Sequence, residues 1–227
     1  MKSIKITDRN IMFYKPTIYG FDLNLGLLLG KNRNYIIDTG VGGSSVQPIL
    51  DYIGSDKKPI VVINTHWHWD HVWGNWCFED SLIISHSICR ELTDKHWDES
   101  IERNAEHVIE GDVRKKLPNL VFEDKLYFPD DGVSVFYSPG HTEDCISVYD
   151  EKDKLLYAGD NTGDTNDEIL PEIDTDLETF KKLINLYDTY DFDVCISGHN
   201  KPQGKDVVER MNSALYECIR KQTKGGI

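Results

Sequence analysis

The chain has no run of 18 apolar residues, no C-x-x-C pair and no stretch dominated by Ser, Gly and Pro. The first absence excludes a membrane-spanning helix on length alone. The second leaves Cys77, Cys89, Cys145, Cys195 and Cys218 scattered and odd in number, which argues against a disulfide framework or a cysteine zinc ribbon. The third leaves no candidate linker, so one domain over residues 1–227 is expected, with enough chain to bury a substantial core. Positive charge is also scarce: 25 Lys and Arg stand against 39 Asp and Glu, a formal net charge of −14. Nucleic-acid partners are therefore not expected, because phosphate backbones are held largely by Lys and Arg. Residues 1–12 are charged and lack the apolar core of a secretion signal. Together with the unpaired cysteines this points to a reduced, cytoplasmic protein that does not act at a membrane.

Histidine, by contrast, is concentrated. Of eight in the chain, three fall in the stretch Ile63-Asn64-Thr65-His66-Trp67-His68-Trp69-Asp70-His71. The β-branched run Ile60–Ile63 follows Pro59 and reads as a short buried strand. The ligand types arrive where it stops. In extended chain His66 and His68 point to one side. If the chain then enters a helix, Asp70 and His71 can face a second point nearby. Imidazole and carboxylate in that combination suit Zn²⁺ and related divalent ions.

The spacing H-x-H-x-D-H resembles the signature of the metallo-β-lactamase superfamily. That resemblance implies three further ligands, a histidine, an aspartate and a histidine, each at a strand end. The chain offers His141 in Ser138-Pro139-Gly140-His141-Thr142, Asp160 in Gly159-Asp160-Asn161, and His199 in Ser197-Gly198-His199-Asn200. Each follows an apolar run and small residues that let the backbone turn sharply. Ile36-Ile37-Asp38-Thr39-Gly40 matches an early motif of the family, so the resemblance spans Asp38 to His199. By resemblance, His66, His68 and His141 hold one ion, Asp70, His71 and His199 hold another, and Asp160 bridges them, with Asp70 and His199 expected to take part in catalysis. The expected cofactors are two divalent ions, zinc first, with iron or manganese as alternatives. Asp38 is expected either to orient a ligand histidine through its free N–H or to be a strand-end turn residue.

Strand and helix signals interleave in two similar halves. The resemblance implies an α+β fold, the four-layer αββα metallo-β-lactamase sandwich of two mixed β-sheets flanked by helices. Helix signals cover Gly42–Ile53, with Ser44 or Ser45 as its cap, and a segment opened by a Thr175–Glu178 capping box with an apolar stripe Leu177, Phe180, Ile184 and Tyr187. A final amphipathic helix runs through Val207, Met211 and Leu215. Residues 87–117 read as a charged helical insertion that either lines the site or forms a solvated pair of helices. His86, His96 and His107 are expected to be surface or insertion residues. Trp73 stands where relatives commonly have glycine and is expected to narrow the entrance. Trp67 is open to a role in substrate contact, and Tyr14 and Tyr19 receive none.

The resemblance implies a metal-dependent hydrolase in which hydroxide shared between the ions cleaves a small-molecule substrate. The turn His68-Trp69-Asp70-His71-Val72 looks most like the glyoxalase II and lactonase side of the family. A carboxy-terminal helical domain and a Lys/Arg cluster for glutathione are not recognisable. An ester, thioester or lactone of a small metabolite is therefore the expected substrate class. A mononuclear iron persulfide dioxygenase and a phosphodiesterase of the same superfamily are the alternatives.

Overall fold

The computed structural model describes residues 1–18, 21–108 and 111–224. Two β-sheets lie face to face, and the alternation of side chains along their strands decides what fills each layer. In β4 (Asn34–Ile37) and β5 (Ile60–Ile63), Tyr35, Ile37, Val61 and Ile63 enter the cluster between the sheets. Their neighbours Ile36 and Val62 point the other way, into a cluster with Val46 and Ile49 of helix α1 (Gly43–Ile53). In β11 (Leu155–Gly159) of the second sheet, Leu155 and Tyr157 face inward. Leu156 and Ala158 face the helices α4 (Leu177–Asp188) and α5 (Val207–Lys224). Strands buried on both faces read as continuous apolar runs, as these do. The result is helix, sheet, sheet, helix: the αββα sandwich.

The first sheet contains β1 (Lys2–Lys5), β2 (Asn10–Ile18), β3 (Phe21–Leu29), β4, β5, β6 (Leu82–His86) and β7 (Leu120–Phe122), in that order. Strands β1 to β4 pair antiparallel and β4 to β7 parallel. The second contains β8 (Lys125–Phe128), β9 (Val133–Tyr137), β10 (Ile146–Asp150), β11, β12 (Val194–Ser197) and β13 (Gln203–Gly204), in the order β13-β12-β11-β10-β9-β8. Only the β11/β12 pair is parallel. Both sheets are mixed. The segments following β5, β9, β11 and β12 carry the candidate ligands.

Several local expectations change. Helix α1 is capped by Gly42, whose side chain can offer nothing, and Ser45 Oγ instead accepts from the Val41 N–H. Helix α4 begins one residue later than the Thr175–Glu178 box implies: Asp176 is the cap and accepts from the Thr179 N–H at 2.8 Å. Thr175 instead donates to the Gly140 carbonyl at 2.5 Å. The insertion is one 22-residue helix, α3 (Ser87–Val108), followed by non-helical chain over 112–119, not a pair of helices. The short helix α2 (Trp69–Val72) packs on α3 through a cluster of Val72, Trp73 and Trp97. Trp73 is 1% exposed there, so it is a packing residue and does not narrow an entrance. His86 ends β6, is buried and stacks on Tyr137 with ring centroids 4.2 Å apart, contrary to the expected surface position. The side chain of His107, and Tyr19, lie outside the described residues.

Candidate metal centre

The strand β5 delivers Asn64 and Thr65 into the protein interior, and the next six residues turn through extended chain into α2. His66 Nε2 lies 3.0 Å from His68 Nδ1, and His141 Nε2 lies 3.1 Å from the same atom. Three ring nitrogens thus converge on one point. With Asp160 they form a group whose ligating atoms all lie within 4.8 Å of one another, and Asp70, His71 and His199 form a second such group. Asp160 Oδ2 sits between the two, 3.5 Å from His66 Nε2, 3.2 Å from His71 Nε2 and 3.0 Å from His199 Nε2.

The donor set fits divalent cations better than it fits itself. His71 Nε2 and Asp160 Oδ1 are buried without a hydrogen-bond partner, an arrangement proteins otherwise avoid because an orphaned buried polar atom loses its hydration with nothing in return. Imidazole nitrogens about 3 Å apart cannot all satisfy one another with protons, whereas a shared cation accepts every lone pair.

The outer ring nitrogens of His66, His71, His141 and His199 are pinned. His71 Nδ1 donates to Asp38 Oδ2 at 2.8 Å, His141 Nδ1 to the Glu172 carbonyl at 2.7 Å and His199 Nδ1 to the Asp22 carbonyl at 2.7 Å. His66 Nδ1 lies 3.1 Å from Thr65 Oγ1. These contacts choose the tautomer that aims the opposite nitrogen into the site. Asp38 does the orienting expected of it, and it also accepts from the Thr65 N–H and hydroxyl at 2.7 Å each. Around the turn, Thr39, Asn64 and Asn75 form a buried set whose bonds include two to the His71 carbonyl.

Electrostatics divide the two groups. Burial, helped by the charge of neighbouring imidazoles, pushes His66 well below the usual histidine range and His68 down to about 4, so both stay neutral with lone pairs available. Burial acts the same way on His71 and His199, but the carboxylates win. Asp160, Asp38 and Asp70 hold His71 well above its usual range, and Asp160 and Asp70 raise His199 to about 9. Asp160 is also buried, which alone would raise it; the imidazoles of His199, His71 and His66 hold it well below the carboxylate range. Asp160 is aimed by an irregularity in the β11/β12 ladder between Tyr157 and Gly159, where Gly159 adopts φ 55°.

Residue types could not announce every participant. The Asp22 and Glu172 contributions are backbone carbonyls, which carry no side-chain signature. Gly198 is required by proximity: a Cβ there would lie 2.2 Å from Asp160 Oδ1 and 2.7 Å from His71 Cε1. Its small-residue position beside His199 was the available signal. The Trp67 and His96 rings lie with centroids 5.0 Å apart, tilted by 40°, and both line a cavity of about 300 Å³ together with His68 and with Glu99 and Arg103 of α3. The helical insertion therefore lines a cavity beside one candidate ligand, His68.

Comparison with known proteins agrees with this geometry. The metallo-beta-lactamase superfamily profile matches residues 19–199, and the chain belongs to that superfamily. Human acyl-coenzyme A thioesterase MBLAC2 is 24% identical over 216 residues, 84% of this chain and 77% of that protein. A probable metallo-hydrolase of Methanocaldococcus jannaschii, MJ0888, is 27% identical over 158 residues, 68% of this chain and 72% of that one. The metallo-beta-lactamase from Pontibacter korlensis superposes with a TM-score of 0.74 at 23% identity, covering 95% of this chain and 98% of its own. At that identity the likeness shows the fold. Family, fold and cluster together make this chain a metal-dependent hydrolase. Among the described residues, no helix is long and apolar enough to cross a membrane.

Proposed function

We propose that the protein hydrolyses an ester, thioester or lactone of a small metabolite with two divalent ions, zinc first among them. The observation that carries this reading is the pair of ligand groups with one Asp160 oxygen between them. His66, His68 and His141 hold the first ion, and Asp70, His71 and His199 the second. Asp160 would lie between both ions, where its negative charge would offset the repulsion of two dications. When bound, the ions supply Lewis acidity, lowering the pKa of water and polarising a carbonyl. The rest is the work of side chains. Asp38, Thr65 and the carbonyls of Asp22 and Glu172 hold the imidazoles in one tautomer, so no reorganisation is needed as charge develops. His71 is fully buried, whereas Asp70 and His199 keep 5% and 6% exposure. We assign those two, which flank Asp160 in the second ligand group, the catalytic role.

A thioester leads within the class because the human relative named above is an acyl-coenzyme A thioesterase at 24% identity. A complete second ligand group favours hydrolysis over chemistry at one iron, and we read the protein as cytoplasmic because its five cysteines are all free. The test is a panel of thioesters, esters, lactones and bis(4-nitrophenyl) phosphate on metal-loaded protein. Fastest turnover within the first three classes supports the reading. Fastest turnover of the phosphodiester, or oxygen consumption with a persulfide, contradicts it.

A further inference from the structure

Asn161 follows Asp160 in the chain and is fully buried, yet it belongs to neither ligand group. Its carboxamide is engaged at both ends. Oδ1 accepts the backbone N–H of His141 at 2.9 Å, while Nδ2 donates to the Ser138 carbonyl at 2.8 Å and to Tyr187 Oη of α4 at 3.0 Å. An N–H can only donate and a carbonyl can only accept, so these partners fix which way the amide faces. One side chain thus holds both ends of the Ser138-Pro139-Gly140-His141 loop.

The clamp is itself held. Tyr187 Oη lies 2.7 Å from Ser147 Oγ in β10, which lies 2.8 Å from Ser138 Oγ, and all three residues are buried. The loop has no slack against it: a Cβ at Gly140 would lie 2.5 Å from Asn161 Oδ1 and 2.3 Å from Leu183 Cδ2. Three groups of His141 are tied, its N–H by Asn161, its carbonyl by the Asp174 N–H at 2.9 Å and Nδ1 by the Glu172 carbonyl at 2.7 Å. Of these three ties, the one from Asn161 comes from a side chain and the other two from main chain. The Asn161 N–H closes a turn onto the Ala158 carbonyl at 3.2 Å, across Gly159 and Asp160. That turn therefore carries both the Asp160 carboxylate and the clamp on His141.

We propose that Asn161 is a positioning residue for the metal centre: it acts through His141, fixing that imidazole relative to the Asp160 carboxylate, so that without it the first ion is held less tightly. This assignment rests on the reading of His141 as a ligand and adds the side chain that holds it in place. Removing the carboxamide takes the acceptor from a buried N–H, which is costly, and releases the loop that carries the imidazole. Loss of a group that orients a ligand typically weakens metal binding by about 10–100-fold.

The experiment measures zinc affinity by chelator competition, with thermal unfolding of the metal-free protein alongside. The proteins are wild type, Asn161→Ala, Asn161→Leu, Tyr187→Phe, His141→Ala and the double variant of His141→Ala with Asn161→Ala. Asn161→Leu keeps the volume of the side chain and guards against a folding failure of the alanine variant. Either folded Asn161 variant is expected to bind one zinc ion about 10–100-fold more weakly. Tyr187→Phe removes one partner of Nδ2 but leaves both bonds to the loop, so it should lower Tm and leave zinc affinity unchanged. In the His141→Ala background, adding Asn161→Ala should lower Tm with no further loss of affinity, because the imidazole it acts through is gone. Wild-type affinity in the folded Asn161 variants, an equal loss in Tyr187→Phe, or the same loss with and without His141 overturns the assignment while the ligand set stands. Wild-type affinity in His141→Ala removes the ligand reading and this assignment with it. If neither Asn161 variant folds, hydrogen exchange at the His141 amide of metal-free wild type decides. Slowed exchange supports the clamp, and exchange at the rate of unstructured chain overturns it.

Discussion

Nδ1 of His71 lies 2.8 Å from Oδ2 of Asp38, and that aspartate holds a backbone φ of 61° at 2% exposure. A non-glycine residue in the left-handed region is uncommon, though Asn and Asp tolerate it best. One carboxylate thus ties the helix carrying His71 to the Thr65 backbone just before His66. Asp38→Asn can keep the backbone but loses the anionic acceptor. It is expected to weaken metal affinity about 10–100-fold, read by chelator competition. Unchanged affinity would reduce Asp38 to a turn residue.

Asp160→Ala removes the one oxygen that lies within 3.5 Å of His66, His71 and His199. Metal content is expected to drop towards one ion or none per chain. Full occupancy in this variant would refute a bridging role.

His68→Ala should abolish hydrolysis without unfolding the protein, because His68 is only partly buried and its Nδ1 faces the other ligands. The metal-free variant should still unfold cooperatively, because truncating this imidazole leaves the clusters on both faces of the first sheet intact. Near-normal turnover would remove His68 from the site.

How far these residues were legible depended on what each contributes. The candidate ligands were legible because local spacing and side-chain chemistry are both written in residue types: His66 to His71 in one turn, and, through the family resemblance, His141, Asp160 and His199 after apolar strands. The sandwich was legible through the family resemblance, and the interleaved strand and helix signals fitted it. Glu172 and Asp22 stayed hidden because they act through main-chain carbonyls 31 and 177 residues away from their histidines. His86 misled because a histidine beside a charged helix looks solvated, and only the pairing of β6 with β7 and its stack on Tyr137 bury it. Strand β1 escaped detection because Lys2–Lys5 is exposed throughout and gains its structure from pairing with β2. Thr175 and Asp176 are adjacent candidate caps, and the Gly140 carbonyl claims the threonine hydroxyl.

Gly198→Ala tests close approach. The added methyl has no room beside Asp160 Oδ1 and His71 Cε1. Metal content and Tm should both fall, whereas Cys195→Ala, a substitution in the cluster on the α4 and α5 face of the sheet, should lower Tm and leave metal content unchanged. Full metal content in the Gly198 variant would mean that the ligand shell yields more readily than its packing implies.

Asp144 gives a pH prediction. Burial raises its carboxyl to about 6, against hydrogen bonds from Thr142, Cys89 and the Trp67 backbone that favour the charged form. The folded value lies above the unfolded 3.8, so the folded state binds more protons between about pH 4 and 6. Stability contributed by this group therefore falls as pH rises through that window, by up to about 3 kcal/mol. Asp144→Asn should gain stability relative to wild type from pH 4 to 6.5 in metal-free denaturant titrations. A constant difference would show that Asp144 ionises normally.

The central claim is the pair of ions. Elemental mass spectrometry on protein purified without added metal measures it directly. The proposed binuclear reading predicts about two divalent ions per chain, zinc first, lost together on chelation and restored on reloading. A single iron per chain, or a protein that stays metal-free after incubation with zinc, manganese or iron, would contradict it.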